Sequence, residues 1–380
     1  MPLPKIAIIG AGPSGLTLAR ILQINNIPCT VFEREASAHL REQGGSLDLH
    51  AESGILALHE ANLYKEYQSH VRNESQDFVL ADRFGKTYFS HKDTDTGRPE
   101  IDRKALRQIL LDSLPAESIR WGHKLERVEE GGALHFTHGS ESGFDLIVGA
   151  DGAWSKVRPM VCHLQPFYSG VTGVEMRLRN LETTDPKLSE MVGKGSLFVF
   201  GEDDGLSMML QRMGDKSVRL YTFMSKPESY AKDKGLDPED PNHIRAVLLQ
   251  EYRHWAPELK RFIDLCGNDI DLRVLHMLPV GIRWPHRPGF TLIGDAAHLM
   301  TVFAGEGVNM AMLDAMELGK SIVKHPDDLA KAVEEHKEKI FPRAREMQQL
   351  TWDFKLDWFG PGALAKFKRW MESWTQEENS

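Results

Sequence analysis

The chain opens with Ile6-Ala7-Ile8-Ile9, an apolar run too short for a helix and read as a buried parallel strand. It breaks at Gly10-Ala11-Gly12-Pro13-Ser14-Gly15, after which Leu16, Leu18, Ala19, Ile21 and Leu22 return at helical spacing. Strand, tight turn and helix are predicted in that order. A second strand, Cys29-Thr30-Val31-Phe32, ends in Glu33. The pattern then predicts a glycine turn into a short strand at Gly44-Gly45-Ser46-Leu47-Asp48-Leu49-His50, and a helix near 54–61. A hairpin is expected within 77–90 around Asp82-Arg83-Phe84-Gly85. A helix over 102–114 carries Ala105, Leu106, Ile109 and Leu110 on its apolar face, with Arg103 and Arg107 on one side.

The next apolar strand, 144–150, runs into Asp151-Gly152-Ala153-Trp154-Ser155-Lys156-Val157-Arg158. Between 167 and 224 the character changes to short alternating segments, 173–178, 196–200, 207–211 and 218–224, which predict antiparallel strands. A charged helical stretch over 241–265 follows, then a strand at Phe290-Thr291-Leu292-Ile293 ending in Gly294-Asp295. Gly305-Glu306-Gly307 opens a long helix over 308–323, and 327–358 reads as further helix. The domain begun at the N-terminus is therefore interrupted and rebuilt from distant segments. We expect it over 1–75, 100–165 and 270–325, a β-rich domain over 76–99 and 166–269, and a helical region over 326–380.

Composition narrows the function classes. With 380 residues, 41% hydrophobic and 27% charged, the chain fits a globular protein of two or three domains. A net charge of -9 argues against a nucleic-acid footprint. No apolar stretch approaches the roughly 18 residues of a membrane span. The first strand follows the N-terminus directly and leaves no room for a signal peptide. Cys29, Cys162 and Cys266 are scattered without metal-ligand spacing. A reduced, cytoplasmic protein is expected.

Chemistry concentrates at the turns. In the first, Gly10, Gly12 and Gly15 let the backbone approach a pyrophosphate, whose charge is met by free amides, that of Ser14 among them, and by the helix dipole. Glu33, about 20 residues further on and followed by Arg34, is placed to accept from ribose hydroxyls. An acid there favours adenosine with a free 2′-hydroxyl, and this segment alone leaves FAD and NAD both open. Gly294-Asp295-Ala296-Ala297-His298 puts a carboxylate at a strand end, where the bland alternative is a helix N-cap or turn acid. Arg103 and other arginines have a solvated surface charge as their ordinary alternative. His298 is read as a structural hydrogen-bonder rather than a base.

Gly10-x-Gly12-x-x-Gly15, Asp151-Gly152 and Gly294-Asp295, each after an apolar strand and in that order, resemble the single-component FAD-dependent aromatic hydroxylases of the para-hydroxybenzoate hydroxylase fold. The resemblance spans nearly the whole chain. Gly44 to His50, Pro99-Glu100-Ile101-Asp102-Arg103, and Gly294 to Met300 followed by Phe303-Ala304-Gly305 look most like the tetracycline-inactivating monooxygenases. It implies an α/β fold in which a Rossmann-like FAD domain is interrupted by an antiparallel β-rich substrate domain, with C-terminal helices. It also implies that Asp295 holds the ribityl chain, Arg103 the cofactor, Asp48 the flavin, and Arg41 the flavin and NADPH. Asp151 would serve the pyrophosphate and transient NADPH. Gly305, Gly307, Val308 and Asn309, at the start of the long helix, would offer amides to the flavin pyrimidine edge, where they could stabilise negative charge on the reduced ring.

The implied reaction is NADPH-dependent hydroxylation of an aromatic or polycyclic small molecule by O2 through a flavin C4a-hydroperoxide, with no catalytic side chain and no metal. A monomer or weak dimer is expected. Two alternatives stand beside it: a flavin-dependent dehydrogenase or reductase without oxygen insertion, and a non-catalytic flavoprotein that binds a small molecule. Substrate contacts are sought among Glu175, Met176, Phe198, Phe200, Met208, Gln211, Tyr221 and Phe223, about half of which must face away from a ligand by strand alternation, together with Val302, Phe303 and Gly305. The chain departs from the tetracycline-inactivating pattern where Glu175, Gly205 and Leu220 replace a polar trio, and where Val302 replaces a proline. A tetracycline-like substrate is therefore one option among polycyclic and phenolic compounds.

Overall fold

The computed structural model describes residues 3–38, 44–72, 77–91 and 99–377. These form two compact units by internal contact. The first comprises 1–71, 103–167 and 276–352, and the second 72–102, 168–275 and 353–380. The helical stretch after 326, read from sequence as a region of its own, is instead divided between the two units after Trp352.

At the centre of the first unit is a five-stranded sheet in the order Phe290–Leu292, Leu146–Gly149, Ile6–Ile9, Cys29–Phe32, Ile119–Arg120. Every neighbouring pair is parallel. Ile6–Ile9 and Leu146–Gly149 are buried along their whole length, which explains their unbroken apolar sequence: a parallel strand is covered on both faces. The helices Pro13–Ile24 and Gly307–Lys324 pack together so closely that a Cβ on Gly319 would stand 2.7 Å from Ile21 Cγ2. A second core joins Ala7, Ile9 and Ile147 to Leu125, Leu134 and Phe136 of a small antiparallel sheet, Leu125–Val128, Leu134–Phe136 and Gly139–Glu141.

The second unit is built on a seven-stranded sheet, ordered Ile270–Met277, Phe167–Leu178, Val218–Ser225, Leu206–Arg212, Ser196–Phe200, Phe78–Asp82, Thr87–His91. Ser196–Phe200 pairs in parallel with Phe78–Asp82. The pairings of Phe167–Leu178 with Val218–Ser225, Val218–Ser225 with Leu206–Arg212, Leu206–Arg212 with Ser196–Phe200, and Phe78–Asp82 with Thr87–His91 are antiparallel. Alternation sends Val174, Met176, Leu178, Met208, Leu210 and Leu220 into a core with Ile244, Leu248, Phe262 and Ile263 of the helices Pro241–Glu251 and Pro257–Leu265. On the opposite face Phe198 and Phe200 pack on Trp358 and Phe367 of the C-terminal helices Leu329–Phe359 and Ala363–Glu377. No helix among the described residues is long and apolar enough to cross a membrane.

Tyr252, fully buried just past the helix Pro241–Glu251, donates its hydroxyl to the Ser207 carbonyl at 2.9 Å and lies 3.3 Å from that of Phe223. Tyr252→Phe leaves these acceptors short of a donor and should cost about 1–3 kcal/mol. Guanidinium unfolding should show a lower midpoint at unchanged m-value, and an unmoved midpoint would refute this.

Candidate functional site

The glycines of the first turn have different tasks. Gly10 has φ +109°, and a Cβ on it would lie 2.3 Å from the Ala150 carbonyl oxygen, while one on Gly15 would lie 2.0 Å from that of Gly10. Both are needed for backbone packing. A Cβ on Gly12 would meet nothing within 4 Å among the described residues. The helix Pro13–Ile24 starts there with no side-chain cap among the described residues, so its first amides are left for another acceptor. Buried Ser14 turns its hydroxyl toward Gly294, lying 3.1 Å from where a Cβ on that glycine would be.

Glu33 does more than wait for a ribose. Its Oε2 accepts from the Ala11 amide at 2.7 Å and its Oε1 from the Glu35 amide at 2.9 Å, so the acid holds the tip of the glycine loop. A carboxylate offers about four lone-pair sites, which leaves capacity for a ligand. Arg34 beside it is exposed, and Arg41 lies outside the described residues. Arg107, read from sequence only as a companion of Arg103, is buried. It donates to the carbonyls of Ala11 and Ala38 and pairs with Glu35 at 2.8 Å. Its place among buried Leu106, Ile109 and Leu110 was the available signal.

The Gly294-Asp295 turn is built on a left-handed glycine, φ +60°, which sits too close to Ser14 and Ala311 for a side chain. Beneath it is Asp314, a fully buried carboxylate that sequence reasoning missed. Its Oδ2 accepts from the Gly294 amide at 3.0 Å and from His298 Nε2 at 2.5 Å, and its Oδ1 from Arg343 at 2.9 Å. Burial alone would raise the Asp314 pKa, but His298 and Arg343 outweigh it and hold the group well below the usual carboxylate range. For His298 burial likewise opposes the charge, and Asp314 prevails and raises its pKa. His298 is thus bonded through its Nε2 to a buried carboxylate.

Asp295 itself is exposed to solvent, yet protein crowds it closely enough that desolvation raises its carboxyl pKa, against the pull of His298 and Arg103. Arg103, at the start of the helix Arg103–Asp112, also passes close to Gly44, with its Nε 3.6 Å from where a Cβ on that glycine would be.

Asp151 has Oδ2 bonded to the Lys156 amide at 2.7 Å, while Oδ1 is buried with no hydrogen-bond partner among the described residues. Burial raises its pKa. Arg158, fully buried, donates to the carbonyls of Ala153 at 2.7 Å and Ala296 at 3.1 Å. It therefore ties the Asp151-Gly152 loop to the Asp295 turn.

A third cluster surrounds the start of the helix Gly307–Lys324. The Asn309 side chain accepts from the His50 amide at 3.0 Å and donates to the Asp48 carbonyl at 2.9 Å, joining the strand Ser46–Asp48 to that helix. Gly305, φ +73°, ends the turn Val302–Ala304, and a Cβ on it would lie 4.0 Å from Asp48 Oδ1. No side chain caps the helix among the described residues, and a Cβ on Gly307 would meet nothing within 4 Å. Val308 and Asn309 are buried in its first turn. Val302 is 54% exposed, whereas Phe303 is buried.

In the second unit, Glu175, Gln211, Tyr221 and Phe223 share the sheet face with Phe198 and Phe200, whereas Met176 and Met208 face the core. Phe200 has no exposed surface and is enclosed by Trp358 and Phe367, so its expected substrate contact gives way to packing. Glu175 is buried, and its carboxylate is held by Arg219 on one oxygen and by Arg273 at 2.9 Å on the other. Gln211 and Tyr221 remain partly open.

The open space before Gly12, the enclosed Asp295, the orphaned Asp151 oxygen and the uncapped helix at Gly307 fit a dinucleotide with a polyhydroxyl linker and an electron-accepting ring. Residues 4–334 match the family described as FAD binding domain. Monooxygenase penA of Penicillium thymicola is 33% identical over 414 aligned positions, covering 92% of this chain and 94% of that protein. Monooxygenase asqM of Emericella nidulans is 32% identical, with 92% and 94% covered. The structure of Klebsiella pneumoniae HpxO complexed with FAD and uric acid superposes with a TM-score of 0.77 at 23% identity, covering 99% of this chain and 92% of that one. Tetracycline destructase Tet(51) gives 0.76 at 18%, covering 99% and 97%. At those identities the likeness is one of fold.

Two variants probe the buried network. Asp314→Ala leaves His298 and Arg343 without their shared carboxylate and should destabilise the protein by about 3–5 kcal/mol, read from denaturant midpoints. A loss under about 1 kcal/mol would mean that the pair is dispensable. His336, buried nearby, is pushed down to about 4 by burial, against the pull of Asp314 and Glu317. Its unfolded form binds protons more readily, so stability is full above about pH 6.5 and declines as pH falls toward 4. His336→Leu should flatten that decline in unfolding curves taken between pH 7 and 4.5, and an unchanged slope would assign it to other groups.

Proposed function

The chain belongs to the FAD binding domain family and is an FAD-dependent monooxygenase, and on that premise we propose that it hydroxylates an aromatic or polycyclic small molecule with NADPH and O2 as co-substrates. The observation that carries this reading is Asp295, open to solvent yet crowded by protein, at the end of a turn clamped from below. Such a carboxylate suits the hydroxyls of a ribityl chain, with Arg103 near enough to act on its charge.

The other roles follow from position. The amides after Gly12 take the pyrophosphate, with Asp151 beside it, and Glu33 uses its remaining lone pairs on the ribose. Asp48, Gly305, Gly307, Val308 and Asn309 border the flavin ring. When bound, FAD supplies the hydride acceptance and oxygen activation that side chains cannot. The protein's own task is to orient the substrate and keep water out. Val302, exposed beside Gly305, is the proposed substrate contact in the first unit. Within the second unit, the partly open sheet-face residues Tyr221 and Gln211 are proposed as substrate contacts.

Relatives carry names with different aromatic substrates, among them 3-amino-4-hydroxybenzoate 2-monooxygenase of Streptomyces cremeus and FAD-dependent urate hydroxylase of Klebsiella pneumoniae. Tetracyclines belong in the screen on the same footing. Purified protein should be yellow, and a panel of phenolic and polycyclic compounds should include one that accelerates NADPH oxidation. With labelled O2 its product should gain one labelled oxygen. Reduction or dehydrogenation without label would overturn the hydroxylase reading.

A further inference from the structure

Between Asp48 and Glu306 lies His50, a side chain that none of the roles above uses. Its Nε2 is 3.2 Å from Asp48 Oδ2, its Nδ1 is 3.4 Å from Glu306 Oε1, and Glu52 Oε1 stands 4.0 Å from the same Nδ1. A neutral imidazole donates from one nitrogen only, so carboxylates at both nitrogens call for the cation. The ring is nearly sealed from water. Its backbone amide donates to Asn309, which ties the residue to the helix Gly307–Lys324. The charged and titratable groups that face it include, among the described residues, Asp48 on the adjoining strand, Glu52 on the following turn and Glu306 at the helix start, with Tyr67 close to Asp48. Burial lowers the His50 pKa, but bonding to Asp48 and Glu306 outweighs this and carries it to about 9.

We propose that His50 is a positioning residue for the flavin, an imidazolium that locks Asp48 and Glu306 in place and cancels one of the two negative charges beside the start of the helix Gly307–Lys324. The inference rests on the reading that the flavin ring lies at that helix start. Carboxylates held there without this cation would oppose the helix dipole and disfavour an anionic reduced ring. With His50 charged, one of their negative charges is cancelled and the dipole's field is less opposed. With its folded pKa raised to about 9, His50 stays charged at neutral pH, and the effect fades as pH rises through about 9.

Reduction potentials of the holoenzyme test this, with His50→Gln, Glu306→Gln and the double variant. His50→Gln should lower the potential, weakening reduced FAD relative to oxidised FAD by about tenfold, on the order of one partly screened charge. Glu306→Gln should raise it. The double variant restores the charge count and should return toward the wild-type value, a recovery that a merely structural histidine would not give. If His50→Gln does not fold, the rise in Glu306→Gln alone decides. Separately, 15N-histidine spectra of FAD-free protein should show His50 titrating near pH 9, and its signals should shift when FAD is added. No shift would overturn the placement of the ring. A shift with titration near pH 6.5, or with potentials that the variants leave unmoved, would overturn the role of His50 alone.

Discussion

The first unit depends on the buried carboxylate of Asp314. Removing a charge from water is costly, and the cost is offset only where donors converge with good geometry. Here they arrive from the Gly294 amide, from His298 and from Arg343. One side chain thus connects the end of the strand Phe290–Leu292, the turn that presents Asp295, its own helix and the helix Leu329–Phe359. The Asp295 carboxylate can be left without a hydrogen-bond partner among the described residues because Asp314, one layer below, fixes the backbone that carries it.

The same economy recurs around the site. Glu33 and Arg107 fasten the glycine loop from opposite sides, the first through the Ala11 amide and the second through the Ala11 carbonyl. Arg158 spans the Asp151 loop and the Asp295 turn, and Asn309 spans the strand Ser46–Asp48 and the long helix. In each case a side chain binds backbone belonging to a distant segment. A chain whose first unit is assembled from three separated stretches needs such cross-links, since local sequence cannot set the spacing between them.

What was legible in the sequence follows that distinction. The buried parallel strands announced themselves as apolar runs, and the four alternating segments of the second unit have the pairings that alternation implies. The small sheet Leu125–Glu141 escaped notice because its strands are short and largely polar, with only Leu125, Leu134 and Phe136 turned inward. The last helix, Ala363–Glu377, falls inside the helical region expected over 326–380, separated from its predecessor only by the break around Gly360-Pro361-Gly362. At the site, glycines and Asp295 could be read because turns impose residue types. Asp314 and Arg107 could not, for each looks like an ordinary charge on an amphipathic helix until the packing shows it facing inward. Phe200 shows the opposite limit: alternation put it on the correct face, and a helix remote in sequence covered it.

Gly12 differs from Gly10 and Gly15 in a way that bears on how this loop can change over generations. Side chains at Gly10 and Gly15 are barred by the protein's own backbone, so any drift there is eliminated at folding, whatever the cell is asking of the molecule. At Gly12 nothing among the described residues stands within 4 Å of an added methyl group. The restraint on that position comes from outside the polypeptide, from whatever occupies the space in front of it. Three glycines that look equivalent in a motif are therefore guarded by two different selective agents, and only one of the three keeps a record of the ligand.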